Sequence, residues 1–345
     1  MTTFSRRVAP LILALCCNVP ALAATETVAA ATASTVSANA ISAAERNEAI
    51  DTLVTDLTGN YVFPDVAEKM AASIRARQQR GEYDQVADGK AFAQLLEQHL
   101  REISHDKHIQ IRYTPAPEAA ARRGSAAPGA SQASNAFGRR VNFGFEKFER
   151  LEPNIAYLEL RGFVDPSGGA ETVAAAMGMA ANADALIIDL RRNGGGSPRM
   201  VALISSYLFD LERVHLNDLY WRDGNRTEQF WTNPDVAGQR LGSKKPVYIL
   251  TSKATFSAAE EFSYNLKQLK RAVIVGEVTG GGANPGGGFK FSEHVGGFIP
   301  TGRAINPITH TNWEGTGVQP DVVVPADQAL QTALSLATAA APANQ

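Results

Sequence analysis

Ser257 is the strongest candidate nucleophile in the sequence. It follows an apolar run at residues 247–251 and begins a helical pattern, so the chain turns from a strand into a helix at this serine. Backbone N–H groups converge where a helix begins, and they can stabilise the oxyanion formed when a serine attacks a carbonyl. Ser257 and Glu260 also have the spacing of a capping box, a purely structural role. The two roles are compatible.

Three consecutive glycines, Gly194 to Gly196, form a second candidate site. They follow an apolar strand pattern at residues 185–190 and precede a helical pattern, so their N–H groups can face a phosphate or an oxyanion. A tight strand-to-helix turn with no ligand is the alternative. No Lys-Ser or Lys-Thr pair follows the glycines, which excludes a P-loop.

His105 and His108 are candidate general bases, because histidine ionises near neutral pH. A pair of histidines three residues apart could also bind a metal, but a metal site needs further ligands at recognisable spacing. The remaining histidines supply none: His99, His215, His294 and His310. The sequence therefore predicts no metal and no cofactor, and a surface position stays open for either histidine.

Glu314 is the candidate acid. It is the single carboxylate of the glycine-rich segment Trp-Glu-Gly-Thr-Gly at residues 313–317. A carboxylate can hold a histidine in one tautomer and stabilise its charged form, as the third member of a Ser-His-acid set does. A turn residue with a solvated carboxylate is the alternative.

Composition excludes several other chemistries. Both cysteines, Cys16 and Cys17, lie within the first 23 of 345 residues, so no disulfide framework, zinc knuckle or catalytic thiol is expected downstream. The 33 basic and 35 acidic side chains give a formal net charge of −2, which argues against a nucleic-acid partner. No apolar stretch after residue 23 is long enough to span a bilayer.

Residues 1–23 have the pattern of a secretory signal peptide. Arg6 and Arg7 precede an apolar stretch at residues 8–19, and Ala-Leu-Ala at 21–23 is a small-residue cleavage site. We therefore expect an exported protein, periplasmic or secreted. Residues 24–40, rich in Ala, Thr, Ser and Val, are expected to be a disordered leader.

Residues 41–113 are predicted to be an N-terminal helical subdomain. Ser42 and Glu45 have capping-box spacing, and apolar residues follow at helical intervals, with further helices predicted at 66–80 and 90–103. Residues 114–140, rich in Ala, Pro, Gly and Ser at their start, are predicted to be a flexible linker.

Residues 141–330 alternate between strand and helix patterns, which predicts an α/β core with a mainly parallel sheet. The predicted strands are 155–160, 185–190, 247–251 and 272–275, and the predicted helices are 169–182, 198–210 and 258–269. A glycine-rich β segment closes this core. Residues 331–345 are predicted to be a C-terminal tail.

Four segments, in this order, resemble the S41 serine peptidases. They are Asp-Leu-Arg-Arg-Asn-Gly-Gly-Gly (189–196), Thr-Ser-Lys-Ala-Thr-Phe-Ser-Ala-Ala-Glu-Glu-Phe (251–262), Val-Gly-Glu-Val-Thr-Gly-Gly-Gly (275–282) and Glu-Gly-Thr-Gly-Val-Gln-Pro-Asp (314–321). That family includes the C-terminal processing proteases, the tricorn core protease and the interphotoreceptor retinoid-binding protein repeats. The resemblance implies a ClpP/crotonase-like core of β-β-α units.

The resemblance also implies roles for single residues. Ser257 matches the nucleophile, and Gly195 and the N–H of Ala258 match the oxyanion-hole positions. The lysine base of the processing proteases is replaced here by Gly282, so a Ser/Lys mechanism is excluded. His108 and Glu314 match the histidine and glutamate of the tricorn-like branch. His105 remains the competing base.

The resemblance implies an exported serine peptidase that cleaves peptide or protein substrates through an acyl-enzyme. The interval between the helical part and the core is too short for the PDZ domain of the processing proteases, which puts recognition of protein C-termini in doubt. Two alternatives stay open. One is a non-catalytic module that binds apolar ligands, as the retinoid-binding repeats do, and the other is an esterase with the same site residues.

Overall fold

Ser42 begins the first helix as its capping residue. The computed structural model describes residues 39–115 and 130–340, with side chains in the second range from residue 135 onward. The N–H of Glu45 donates to Ser42 Oγ at 3.1 Å. Only this half of the predicted capping box forms, because the Glu45 carboxylate instead accepts hydrogen bonds from Ser292 Oγ and the N–H of His294. The first helix is thereby linked to a distant turn near the C-terminus.

The described residues contain the predicted helices and strands in the predicted order, together with further elements that were not predicted. The α-helices are α1 (Ala43–Asn60), α2 (Pro64–Gln79), α3 (Gly89–Ser104), α4 (Ala130–Arg140), α5 (Ala170–Ala180), α6 (Pro198–Ser206), α7 (Ala258–Gln268) and α8 (Ala329–Ala340). The strands are β1 (Gln110–Tyr113), β2 (Phe145–Leu151), β3 (Ile155–Leu160), β4 (Ala185–Asp189), β5 (His215–Trp221), β6 (Arg226–Trp231), β7 (Val247–Thr251), β8 (Val273–Gly276), β9 (Gly286–Lys290), β10 (Val295–Pro300), β11 (Gly302–Ile305) and β12 (Val322–Val323).

A six-stranded sheet forms the centre of the core, in the order β12-β8-β7-β4-β3-β2. Its neighbouring strands are parallel except for the antiparallel pair β2–β3. Helices cover both faces. Leu158 and Ile188 face the layer of α5, α6 and α7, whereas Tyr157 and Ile187 face α8. Burial on both faces explains the continuous apolar runs of the sequence, and the predicted α/β class is confirmed.

The N-terminal helices join the core through a second sheet. Strand β1, which follows α3, pairs antiparallel with β10, and β10 pairs with β9. Ile111 of β1 and Val295 of β10 are buried in one apolar cluster with Leu53 and Leu96 of the helices. The segment between α3 and β1, which carries both candidate histidines, is thus fixed at both ends.

Some predicted segments fall outside the described residues, and two others are helices instead of the predicted linker and tail. The signal peptide at 1–23, nearly all of the leader and residues 116–129 of the predicted linker lie outside the described residues. The end of that linker is α4, where alanine and arginine, both strong helix formers, follow the Pro/Gly-rich part. Most of the predicted tail is α8, which buries Ala329, Ala333 and Ala337 at intervals of four residues against the sheet.

Candidate active site

Ser257 lies in a strained turn between β7 and α7. Its backbone has φ 56° and ψ −122°, a conformation that residues other than glycine rarely adopt and that costs on the order of 1–3 kcal/mol. Two contacts hold the turn. The N–H of Phe256 donates to the carbonyl of Asn193, and the N–H of Ser257 donates to Glu260 Oε2 at 2.9 Å. The Glu260 contact is the reciprocal bond expected of a capping box.

Glu260 links the serine turn to the glycine-rich segment after β8. Its buried carboxylate also accepts hydrogen bonds from Thr279 Oγ1 and from the N–H groups of Gly281 and Gly282, at 2.5 to 2.9 Å. Burial raises the pKa of Glu260, and these hydrogen bonds oppose that shift. Its hydrogen-bond donors are three backbone N–H groups and one threonine hydroxyl, so Glu260 acts as a structural cap.

The glycine turn packs directly against the serine turn. Gly195 has φ 105°, and a Cβ atom there would lie 2.7 Å from Ser257 Cβ and 2.9 Å from the nitrogen of Ala258. Only glycine fits such an approach. The N–H of Gly195 donates to Asn193 Oδ1 at 2.8 Å. The N–H of Ala258 has no hydrogen-bond partner among the described residues. Of the two predicted oxyanion-hole donors, Ala258 is therefore free and Gly195 is engaged.

His108 is buried beside this turn, with 8% of its surface exposed. Its ring lies against Phe256, with centroids 4.6 Å apart, and more loosely against Phe298 at 6.1 Å. Neither ring nitrogen has a hydrogen-bond partner among the described residues. Burial lowers the pKa of His108, while Asp106 opposes that shift and Arg101 adds to it. This shift favours the neutral imidazole, the form that can accept a proton.

His105, the competing base, lies elsewhere. It ends α3 in a left-handed conformation with φ 54° and is exposed to solvent. His108 and Ser257, in contrast, line the same cavity of about 540 Å³. The structure therefore brings only the second of the two candidate histidines to the serine.

Glu314 lies close to His108 and to a second acid, Asp106. One oxygen atom each of Asp106 and Glu314 and a ring nitrogen of His108 lie within 4.8 Å of one another. Glu314 Oε2 accepts from the N–H of Ala283 at 2.5 Å, and its Oε1 has no partner among the described residues. Burial, and then the charge of Asp106, raises the pKa of Glu314 to about 8.

Asp106 is the site residue for which the sequence indicated no role. It is 1% exposed and accepts hydrogen bonds from Tyr61 Oη at 3.1 Å, Asn284 Nδ2 at 2.9 Å and the N–H of His108 at 2.9 Å. Its Oδ1 lies 3.9 Å from His108 Nδ1. Its three donors occupy both carboxylate oxygens, so this carboxylate is held firmly in place beside His108. The only sequence signal was its place two residues before the histidine.

The position of Gly282 explains why no lysine is present there. A Cβ atom on Gly282 would lie 2.2 Å from Cζ of Phe256, so any side chain would enter the space of that ring. The same ring supports His108. The absence of a side chain at position 282 and the presence of the buried histidine are thus parts of one arrangement.

Comparisons with known proteins agree with this fold. Residues 154–324 match peptidase family S41, and residues 37–146 match the N-terminal domain of that family in eukaryotic IRBP. The chain belongs to peptidase family S41. An S41 relative in Arabidopsis thaliana, the chloroplastic carboxyl-terminal-processing peptidase 2, is 28% identical over 180 residues, which are 50% of this chain and 32% of the relative. The chain thus spans about a third of that relative's length.

Solved structures show the same architecture. A putative peptidase from Parabacteroides merdae superposes with a TM-score of 0.58 at 18% identity, covering 85% of this chain and 96% of the other. The photosystem II D1 C-terminal processing protease superposes with a TM-score of 0.50 at 18% identity, covering 88% and 98%. At these identities the likeness concerns the S41 fold.

Proposed function

We propose that this S41 chain is a serine peptidase that hydrolyses peptide bonds through an acyl-enzyme on Ser257, with His108 as its base. One observation carries the proposal. The strained serine and a buried histidine with two unpartnered ring nitrogens line one cavity, at the point where the glycine turn meets the serine turn. Strain at a single non-glycine residue in such a turn is typical of functional sites.

In the proposed reaction, Ser257 Oγ attacks the carbonyl carbon of the scissile peptide and its proton passes to His108. The carbonyl oxygen becomes an oxyanion. When the C–N bond breaks, His108 returns the proton to the departing amine and the acyl group stays on Ser257. Water then attacks the ester and gives a proton to His108, and His108 returns this proton to Ser257 Oγ as the acyl C–O bond breaks and the acid product leaves.

The N–H of Ala258 is the first donor for the oxyanion, because nothing in the described chain competes for it. The N–H of Gly195 becomes the second donor when it turns from Asn193 Oδ1 towards the substrate. The charge of the protonated His108 is balanced by the acid cluster. Asp106 Oδ1 lies 3.9 Å from Nδ1 and supplies the negative charge, and a Glu314 oxygen lies within 4.8 Å of a ring nitrogen.

A non-catalytic binding protein is the competing function. The match of residues 37–146 to a domain of IRBP, together with apolar walls in the cavity, supports it. An esterase is a third candidate, because the same residues would cleave esters.

A fluorophosphonate probe separates these functions, because it reacts with an activated serine whatever the natural substrate. We expect covalent labelling of Ser257, loss of labelling in Ser257→Ala, and retention in Ser263→Ala, which removes a hydroxyl further along the same helix. No adduct in the folded wild-type protein would leave the binding protein as the better explanation. Turnover of matched peptide and ester substrates then distinguishes a peptidase from an esterase.

We also propose that the protein is exported and that its signal peptide is cut after Ala23. The arginine pair, the short apolar stretch and the Ala-Leu-Ala end of residues 1–23 support this proposal. No helix in the described part of the chain is long and apolar enough to cross a membrane. Sequencing the N-terminus of the protein recovered from the periplasm of a bacterial host tests it, and a retained Met1 would contradict it.

A further inference from the structure

The floor of the cavity beside Ser257 combines apolar walls with one buried acid. Leu219, Phe230, Ala304 and Trp313 line the cavity and belong to one buried apolar cluster. Glu261 lines it too, one helical turn after Ser257 and therefore on the same side of α7. Acidic side chains in the first turn of a helix are usually solvated, but Glu261 is only 4% exposed.

Glu261 has hydrogen-bonding capacity that the protein leaves unused. Its Oε1 is buried and has no partner among the described residues, and the same holds for both side-chain polar atoms of Asn217. Burial raises the pKa of Glu261 to about 8, and the nearby Asn217 amide partly offsets the shift, although no hydrogen bond of good geometry joins the two. No described lysine, arginine or histidine forms an ion pair with this acid.

Buried polar groups without partners destabilise a protein, so Glu261 at the cavity wall, with Asn217 buried beside it, marks a place where a ligand can supply the missing partner. An acidic ligand group would meet the carboxyl of Glu261 and would be repelled by it when both are ionised. A purely apolar one would leave Glu261 unpartnered. An ammonium group offers three donors and a positive charge, and its carbon stem can lie along the apolar walls.

We propose that this cavity receives the substrate side chain on the N-terminal side of the scissile bond, and that Glu261 with Asn217 selects lysine there. The inference rests on the proposed peptidase function. On binding, Glu261 gives up its proton to solvent and forms an ion pair with the lysine ammonium. The pKa of Glu261 in the free protein is about 8, one unit above pH 7. The cost of ionising it at pH 7 therefore weakens lysine binding only about tenfold. An ion pair shielded from water can outweigh that factor.

The test uses diphenyl phosphonate analogues of lysine, norleucine and glutamate, each with the same N-terminal blocking group. Ser257 Oγ attacks phosphorus and phenoxide departs, so the rate of inactivation reports how well each side chain binds in the cavity. Lysine and norleucine differ only by the ammonium group. For the wild-type protein at pH 7.5 we expect the lysine reagent to react at least tenfold faster than the norleucine reagent, and the glutamate reagent to be slowest.

Glu261→Gln is the matched variant, since an amide replaces a carboxyl that is mostly neutral in the free protein. We expect its lysine-to-norleucine ratio to fall to about one, with a thermal unfolding midpoint close to that of the wild type. Glu228→Gln removes another carboxylate at the cavity, one paired with Arg226, and should change the ratio less than twofold.

Equal wild-type rates for lysine and norleucine, or an unchanged ratio in Glu261→Gln, would overturn the lysine subsite. If a general fluorophosphonate labels Ser257 in that case, the peptidase proposal survives and only the subsite is refuted. If neither the fluorophosphonate nor any phosphonate reacts with Ser257, both proposals are refuted.

Discussion

A Cβ atom on Gly282 would lie 2.7 Å from Cε1 of His108, so the histidine ring fills the space that a side chain at position 282 needs. Glycine is therefore required at this position because a side chain would clash, and not because the backbone adopts a positive φ. The proposed base keeps its place only while position 282 carries no side chain.

Gly282→Ala should displace the rings of His108 and Phe256 and slow fluorophosphonate labelling of Ser257 about a hundredfold, since a shift of about 1 Å is enough for such a loss. Gly287→Ala is the matched control, because a Cβ atom on Gly287 meets nothing within 4 Å. Labelling rates and thermal midpoints of both variants check the prediction. A Gly282→Ala protein labelled at the wild-type rate would contradict it.

His108→Gln should lower peptide hydrolysis by about 10²- to 10⁴-fold, the usual contribution of a general base. His105→Gln should change it less than twofold, because that ring is exposed at the end of α3. Measured kcat/KM values of the two variants decide between the histidines. A larger loss at His105 would reverse the assignment.

The pH dependence of kcat/KM should show an acidic limb below pH 6.5. Burial lowers the pKa of His108, and the neutral form is the active one, so activity falls only when the pH drops through that lowered value. Asp106 opposes the shift and Arg101 reinforces it. Asp106→Asn should therefore move the limb to still lower pH while reducing the maximal rate. A limb that moves to higher pH, or does not move, would show that Asp106 does not act on His108 through its charge.

Glu314→Gln should make stability less dependent on pH. The folded protein keeps a proton on Glu314 up to a pH of about 8, whereas the unfolded chain loses it near 4.5. Folded wild-type protein therefore binds more protons between these values, and its stability falls as the pH rises from 4.5 to 8. Urea unfolding at pH 5 and pH 9 measures the effect.

We expect the midpoint to drop less between these pH values in Glu314→Gln than in the wild type. Glu171→Gln, an exposed substitution on α5, controls for net charge. The Glu314→Gln protein should still show part of the drop, because the pKa of Glu261 is likewise raised to about 8. Equal drops in all three proteins would contradict the burial of a neutral Glu314.

The sequence predicted the sheet well where a strand is buried on both faces. Residues 155–160 and 247–251 were predicted with the observed bounds, because their apolar runs are continuous. Helix α8 was missed because its contact face consists of alanines, which carry little apolar signal. The hairpin β5–β6 was missed as well, because polar and apolar residues do not alternate regularly along its two strands.

Of the site, sequence order and family resemblance supplied the serine, the histidine and Glu314. Asp106 could not be assigned a role, because its partners Tyr61 and Asn284 lie 45 and 178 residues away along the chain. No spacing rule relates residues at such separations. Glu261 was hidden for another reason. It belongs to a helical turn whose sequence, Ser-Ala-Ala-Glu-Glu, is fully explained by capping, and only its burial distinguishes it.

The pairing of β1 with β10 has a consequence for how the proposed active site can be transferred between proteins. The nucleophile belongs to the α/β core, whereas the proposed base lies just before β1, in the N-terminal half of the chain, and β1 is hydrogen-bonded to β10 in the C-terminal half. Neither half alone holds a complete proton-transfer path. A gene fusion, circular permutation or domain exchange that preserved the core fold but disrupted the pairing of β1 with β10 would yield a folded protein without activity.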